Sequence, residues 1–335
     1  MSLTYLIKRL AMAIPTLFGV AIVVFVLLRV VPGDPISMMI PPGARAGDIE
    51  HLRALYGLDK PILVQFGHWL LAMLSGDFGI SISLRQHVLG LILSRLPATL
   101  ELSVMAMLFA SGLGILLGVA AVYWRGRWPE LLVDGLSGLG MAIPDFLWGL
   151  LFILGLGVLL PVLPISGRLD PRMEVDFTTQ FYLLESLLRG NFQVLGSLLA
   201  HMLLPAVALA LPLTAAIARI LKSALKEAMA QDYILMARVK GFSKARIIWR
   251  EAFRNALVPT VTLSGVQFTF LVGGTVLVER IFSYPGIGNM AIGAVIDRDL
   301  PLIQGLVLTF AILFIALNLL IDMSYVLLNP RVRHG

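Results

Sequence analysis

A chain of 335 residues with 58% hydrophobic residues, 14% charged residues and a mean hydropathy of +0.90 carries far less charge than the about 25% usual in soluble domains, and reads as an integral membrane protein. The formal charge of +6 does not point to nucleic acid, because the basic residues are not gathered with aromatic platforms. The absence of Cys excludes a disulfide framework, a thiolate nucleophile and a thiolate metal site.

Spanning a bilayer as helix takes about 20 apolar residues, and six such runs follow one another at residues 10–31, 99–123, 131–160, 195–220, 256–278 and 302–328. The first follows Lys8 and Arg9 and has no small-residue cleavage site before "VVPGDP", so a retained membrane anchor is expected rather than a signal peptide. Residues 32–98 form a long loop: "DIEHLRALYG" reads as a short helix capped by Asp48, and "DKPILVQFGHWLLAML" as a surface helix capped by Asp59 with Pro61 in its first turn. The third run contains Gly135, Gly138, Gly140 and Pro144, which suggests a tilt or a break at "AIPDFLWG". A second loop, 161–194, has a polar start followed by the amphipathic "FYLLESLLRGN".

Counting Lys and Arg on alternate sides gives 15 on the side that holds both termini and eleven on the other. Six of those eleven lie in or beside the long first loop, where charge has little influence on orientation. Both termini are therefore expected in the cytoplasm. The expected organisation is a first transmembrane helix (1–31), a periplasmic loop with short helices (32–98), and a five-helix core (99–335) carrying a cytoplasmic loop at 221–255.

That loop is basic and patterned as helix, break, helix. Asp232 can cap a first short helix, "YILMARVK", and Gly241 falls where a left-handed residue would end it. Ser243 can cap a second helix running through "KARIIWREAFRNALVP" into the fifth span. In the short helix Tyr233, Met236, Ala237 and Lys240 share one face, and Leu235, Val239 and Phe242 form another seam. Two turns of helix are marginal alone and must dock. The partner is either anionic lipid or a cytoplasmic protein, and the small Ala237 with the terminating Gly241 favours the protein.

No enzyme signature is present: there is no Gly-Lys pair and so no P-loop, no HExxH and no GxSxG, and the five His residues are scattered. No metal or cofactor is expected. The ionisable residues in or near the spans are Arg29, Glu101, Asp134, Asp145 and Asp322. Arg29 and Glu101 are placed to snorkel from span ends, Asp134 to sit in a helix first turn, and Asp322 to lie within reach of Arg331 and Arg333. Asp145, which follows Pro144 deep in the third run, is a candidate to line a water-filled path.

Eight segments in order, "VPGDP" (31–35), "YGLDKP" (56–61), "GDFGISI" (76–82), "RLPATLEL" (95–102), "IPDFLWG" (143–149), "DYILMARVKG" (232–241), "ERIFSYPGIG" (279–288) and "NPRVR" (329–333), resemble the permeases of binding-protein-dependent ABC importers of the dipeptide/oligopeptide class. Against the general coupling motif of those permeases, Leu235 and Met236 stand in the places of Glu and the first Ala, Ala237 retains the second, and Arg254 stands where Pro is usual. Asp145 stands where that class has an uncharged residue.

The resemblance implies an all-α, six-span permease of the type I importer kind, in the bacterial inner membrane. Its partners would be a related second permease, two ABC ATPase subunits that carry hydrolysis, a solute-binding protein, and a peptide substrate. It implies an ATPase coupling loop comprising Asp232, Tyr233, Ala237, Arg238, Lys240, Gly241, Arg254 and Asn255. It places binding-protein docking at Glu279, Phe282, Pro285 and Gly286, while the candidate translocation path at Pro144 and Asp145 rests on the residues themselves. The same machinery carrying an oligopeptide, a nickel complex or glutathione, a proton-coupled secondary transporter using Asp145, and a lipid-binding scaffold remain open on these residues.

Overall fold

The computed structural model describes residues 3–30 and 59–328. The short helix at Asp48 and the segments "VPGDP" and "NPRVR" lie outside these residues, as do the side chain of Arg29 and the reach of Asp322 toward the C-terminal arginines. Among the described residues the chain is all-helical, with one isolated bridge between Ile80 and His87. The helices are α1 (Leu3–Val30), α2 (Ile62–Leu74), α3 (Val88–Tyr123), α4 (Trp128–Ala142), α5 (Asp145–Phe152), α6 (Tyr182–Leu188), α7 (Phe192–Ala228), α8 (Asp232–Val239), α9 (Lys244–Ile281), α10 (Ile287–Ile296) and α11 (Leu300–Leu328).

Four of these, α3, α7, α9 and α11, are long and apolar enough to cross a bilayer. α4 and α5, with its π-helical extension Ile153–Leu159, pass the same test together as a pair bent by 101° at Ile143–Pro144, and counted as one crossing they make a fifth span. Pro144 has no amide hydrogen and disfavours helix at Ile143, so the span is broken rather than tilted. The 28 residues of α1 suffice in length for a sixth.

The chain packs as two compact units. In the unit formed by residues 2–96 and 290–315, Phe25 is buried against Phe66 (ring centroids 5.1 Å apart) and Trp69 (5.5 Å), which pins α2 to α1. The N-cap of α2 is Pro61, without a side-chain bond, and not Asp59 as the sequence suggests; the fixed φ of proline starts the helix two residues later. Gly305 admits close approach of α3, where an added Cβ would lie 2.6 Å from Val88 Cγ1.

This unit also explains "GDFGISI". Asp299, fully buried, accepts hydrogen bonds from Ser81 Oγ (2.5 Å), Ser83 Oγ (2.9 Å), Ser83 N (3.0 Å) and Leu302 N (3.2 Å), so the segment is clasped to the start of α11. Burial raises the Asp299 pKa, but the Ser81 and Ser83 donors outweigh it and hold the carboxyl below its ordinary value of 3.8. A depressed pKa stabilises the fold fully above the unfolded value and ceases to do so as pH falls through the folded one. The unfolding temperature of the purified protein is therefore expected to hold between roughly pH 5 and pH 7 and to drop below about pH 4, with a smaller drop in Asp299→Asn.

In the second unit, residues 97–289 with 316–335, the core gathers Leu102 and Ala106 of α3, Met202 and Leu209 of α7, Leu271 and Val278 of α9, and Phe282 and Tyr284 beyond it. Gly140 and Gly149 let the two halves of the broken span pack closely: an added Cβ would lie 3.2 Å from Leu211 O at the first and 3.1 Å from the Phe282 ring at the second. Glu101 lies well inside α3, which begins at Val88, and its carboxylate turns inward. It forms a buried ion pair with Arg168 (2.6 Å), whose guanidinium also lies 4.2 Å from the Tyr182 ring centre. Glu101→Ala would leave Arg168 charged and buried. It is expected to cost about 3–5 kcal/mol, read as a lowered unfolding temperature.

Candidate coupling site

The loop between α7 and α9 is held on its own chain by three devices. The first is apolar. Ile234 and Ala237 of α8, 1% and 5% exposed, pack with Ile247, Ile248, Ala252 and Ala256 of α9, Leu221 and Leu225 of α7, and Val119 and Val122 of α3. Burying Ile234 alone contributes about 1.5–3 kcal/mol, enough to fix a helix of eight residues that would not persist in water.

The second device is the C-terminal cap. Gly241 has φ +76°, its amide donates to Arg238 O (2.9 Å), and the Phe242 amide donates to Ala237 O (3.2 Å). This pair of bonds defines a Schellman cap, with Gly in the left-handed position as the sequence suggests. Ser243 then caps α9 by accepting from Arg246 N (3.4 Å). The third device is polar. Asn255 Nδ2 donates to Tyr233 Oη (2.8 Å), and Lys244 Nζ donates to Tyr123 O (2.6 Å), tying the loop to the start of α9 and the end of α3.

Two expectations change here. The N-cap of α8 is Gln231, and Asp232 is the first helical residue, where its charge favours the helix dipole without a cap bond. Ala237 does not offer close approach to another protein, because it faces inward with Ile234. Leu235, Met236 and Val239 are 62%, 61% and 77% exposed and form the outward apolar face, flanked by exposed Arg238 and Lys240. Arg254 is also exposed. Three large apolar side chains are thus left in the open on a rigidly mounted short helix.

The docking candidates of "ERIFSYPGIG" lie mostly inward. Glu279, Phe282 and Gly286 are buried and Pro285 is half-buried. The Glu279 carboxylate accepts from Thr99 Oγ1 (2.6 Å) and Asn289 N (2.9 Å), and Thr99 Oγ1 accepts from Ile287 N (2.9 Å). A Cβ on Gly286 would collide with that carboxylate, and one on Gly288 would lie 2.7 Å from Val276 Cα. The motif is thus a knot joining "RLPATLEL" to the end of α9.

Asp145 begins α5 and is half-buried beside exposed Pro144; its Oδ1 accepts from Phe146 N (2.7 Å). Gly274 keeps space open next to it, an added Cβ there coming to 3.9 Å from Asp145 Oδ2. Asp134 is not in a first turn, where Glu130 stands instead. It accepts from Lys222 (2.7 Å), which also pairs with Glu130 (2.8 Å), while Lys226 reaches Glu130 (3.1 Å). The sequence carried no signal for this link between α4 and α7, since the partners lie 88 residues apart. No cluster able to hold a metal ion occurs among the described residues.

Long apolar helices, one bent helix pair and a short capped helix fixed between helix ends define a multi-pass membrane protein. Residues 110–334 match the family described as the binding-protein-dependent transport system inner membrane component, and residues 2–103 match its N-terminal region. The chain belongs to this family. It is 41% identical to the di/tripeptide transport system permease protein DppB of Pseudomonas aeruginosa, over 99% of each chain. It is 38% identical to the dipeptide transport system permease protein DppB of Escherichia coli, again over 99% of each. To the glutathione transport system permease protein GsiC of Salmonella typhimurium it is 36% identical, over 99% of each. Among solved structures, the MetNI methionine ABC transporter in inward-facing conformations is similar in fold, with a TM-score of 0.50 and 16% identity, over 69% of this chain and 93% of that one.

Proposed function

We propose that this chain is a permease subunit of an ATP-driven importer that moves di- or oligopeptides into the cytoplasm. It would pair with a related permease, receive substrate from a solute-binding protein, and be driven by two ATPase subunits, one of them seated on α8. Both termini and the α8 loop then face the cytoplasm, in keeping with the excess of Lys and Arg on that side. Full-length similarity to peptide permeases supports the substrate class. The observation that carries the coupling role is the outward face of Leu235, Met236 and Val239 on a helix locked to α3, α7 and α9. A push on that face is transmitted to the spans rather than absorbed by the loop.

Because the chain contains no Cys, Val239→Cys supplies a unique thiol. It is expected to cross-link to an ATPase subunit in the assembled transporter and to change in yield between nucleotide-free and ATP-bound states. No cross-link to any ATPase subunit would contradict the assignment. Similarity to the glutathione permease favours a second reading, glutathione as cargo. Ligand binding by the cognate solute-binding protein separates the two.

Asp145 and Pro144 are proposed to border the translocation path, with Asp145 setting polarity there and not carrying a coupled proton. Asp145→Asn is expected to retain ATP-driven uptake with the proton gradient collapsed. Complete loss at equal expression would point instead to a titrating carboxylate.

A further inference from the structure

Of the arginines at the start of α9, Arg246 and Arg250 are not absorbed by the coupling role, and Arg254, which the resemblance counts in the coupling loop, continues their row. Arg246, Arg250 and Arg254 recur every fourth residue and are all exposed. With Trp249, Phe253, Glu251 and Leu257 they line a cavity of about 560 Å³. Arg246 stacks on the Phe242 ring (3.7 Å), and among the described residues none of the three arginines is in an ion pair. Glu251 offsets one charge and leaves the cavity positive. Trp249, 47% exposed and 5.2 Å from Phe253 between ring centres, adds the amphipathic aromatic surface that favours the boundary between headgroups and acyl chains.

Leu257 also lines a second cavity, of about 350 Å³, further along α9. That cavity is bordered chiefly by apolar side chains, among them Val104, Leu108, Ile217, Val261 and Phe268. A positive cavity and an apolar one therefore meet at one residue, along a helix that passes from polar loop to membrane span.

We propose that this paired cavity is a binding site for an anionic phospholipid, its phosphate on Arg246, Arg250 and Arg254 and an acyl chain past Leu257 along α9. Guanidinium groups match phosphate oxygens in geometry as well as charge. A cytoplasmic protein would complement the arginines but has no use for the apolar continuation, which is why lipid is favoured over an acidic partner surface.

The test is native mass spectrometry of the purified transporter complex in neutral detergent, titrated with phosphatidylglycerol, phosphatidylcholine or inorganic phosphate. Phosphatidylglycerol is expected to be retained, and the Arg246→Gln, Arg250→Gln double variant to bind it about 30-fold more weakly, at about fivefold per arginine near an anionic headgroup. Leu257→Trp, which fills the junction and leaves the charge intact, is expected to weaken it as well. Undiminished phosphatidylglycerol binding in the double variant would overturn the proposal. So would release of ATPase subunits from that variant with its lipid unchanged, since the arginines would then meet a protein. Competition by millimolar inorganic phosphate as effective as by lipid would reduce the site to a small-anion pocket and overturn it equally.

Discussion

Gly241→Val is expected to uncouple ATP hydrolysis from uptake while leaving the protein folded in the membrane. The site has open space around it, since an added Cβ meets no atom within 4 Å, so the penalty lies in the backbone alone. At φ +76° a β-branched residue costs about 1–2 kcal/mol, or about 5–30-fold in the population of the capped loop. Once the left-handed turn is lost, the amides of Gly241 and Phe242 lose Arg238 O and Ala237 O, and α8 frays toward the end that presents Val239. Asn, which tolerates this region of backbone space, is expected to restore much of the uptake. Measuring substrate-stimulated ATPase activity and uptake on the same preparation checks this. Uptake by Gly241→Val equal to wild type at equal expression would remove the cap from the mechanism.

Glu279→Ala is expected to give the largest loss of folded protein among single substitutions. It strips the acceptor from Thr99 Oγ1 and Asn289 N in a buried region, at about 1–3 kcal/mol for each donor left unpaired, and opens a cavity besides. Gly288→Ala attacks the same knot by overfilling it, because Val276 Cα is backbone and cannot step aside. Both variants should show reduced membrane yield and a lowered unfolding temperature, with Glu279→Gln less affected because it keeps an acceptor. A normal yield for Glu279→Ala would mean that the knot is dispensable.

The spans, the break at Pro144 and the cap at Gly241 were legible because each rests on local chemistry: a run of apolar residues, a missing amide hydrogen, a residue that reaches positive φ without strain. What the sequence hid was tertiary. A helix of two turns does not reveal which face its own chain will cover, so Ala237 was assigned to a partner when it belongs to the cluster around Ile234. Glu279 was placed at a docking surface by the resemblance of its motif alone, and a motif does not show which way its carboxylate turns. The signal that could have corrected it was the pair Gly286 and Gly288, small residues spaced to let a carboxylate approach backbone amides. Glu101 with Arg168, and Lys222 with Asp134, were hidden by distance along the chain.

The central claim, that nucleotide chemistry on partner subunits drives this chain through the α8 loop, is tested most directly by uptake of a labelled dipeptide. The preparation is vesicles containing the chain with its co-purifying subunits and solute-binding protein, with the proton gradient collapsed. Accumulation that requires ATP, and that stops when the ATPase subunits are omitted, is the predicted result. Accumulation that ignores ATP and disappears with the gradient would contradict the account and move attention from Gly241 to Asp145.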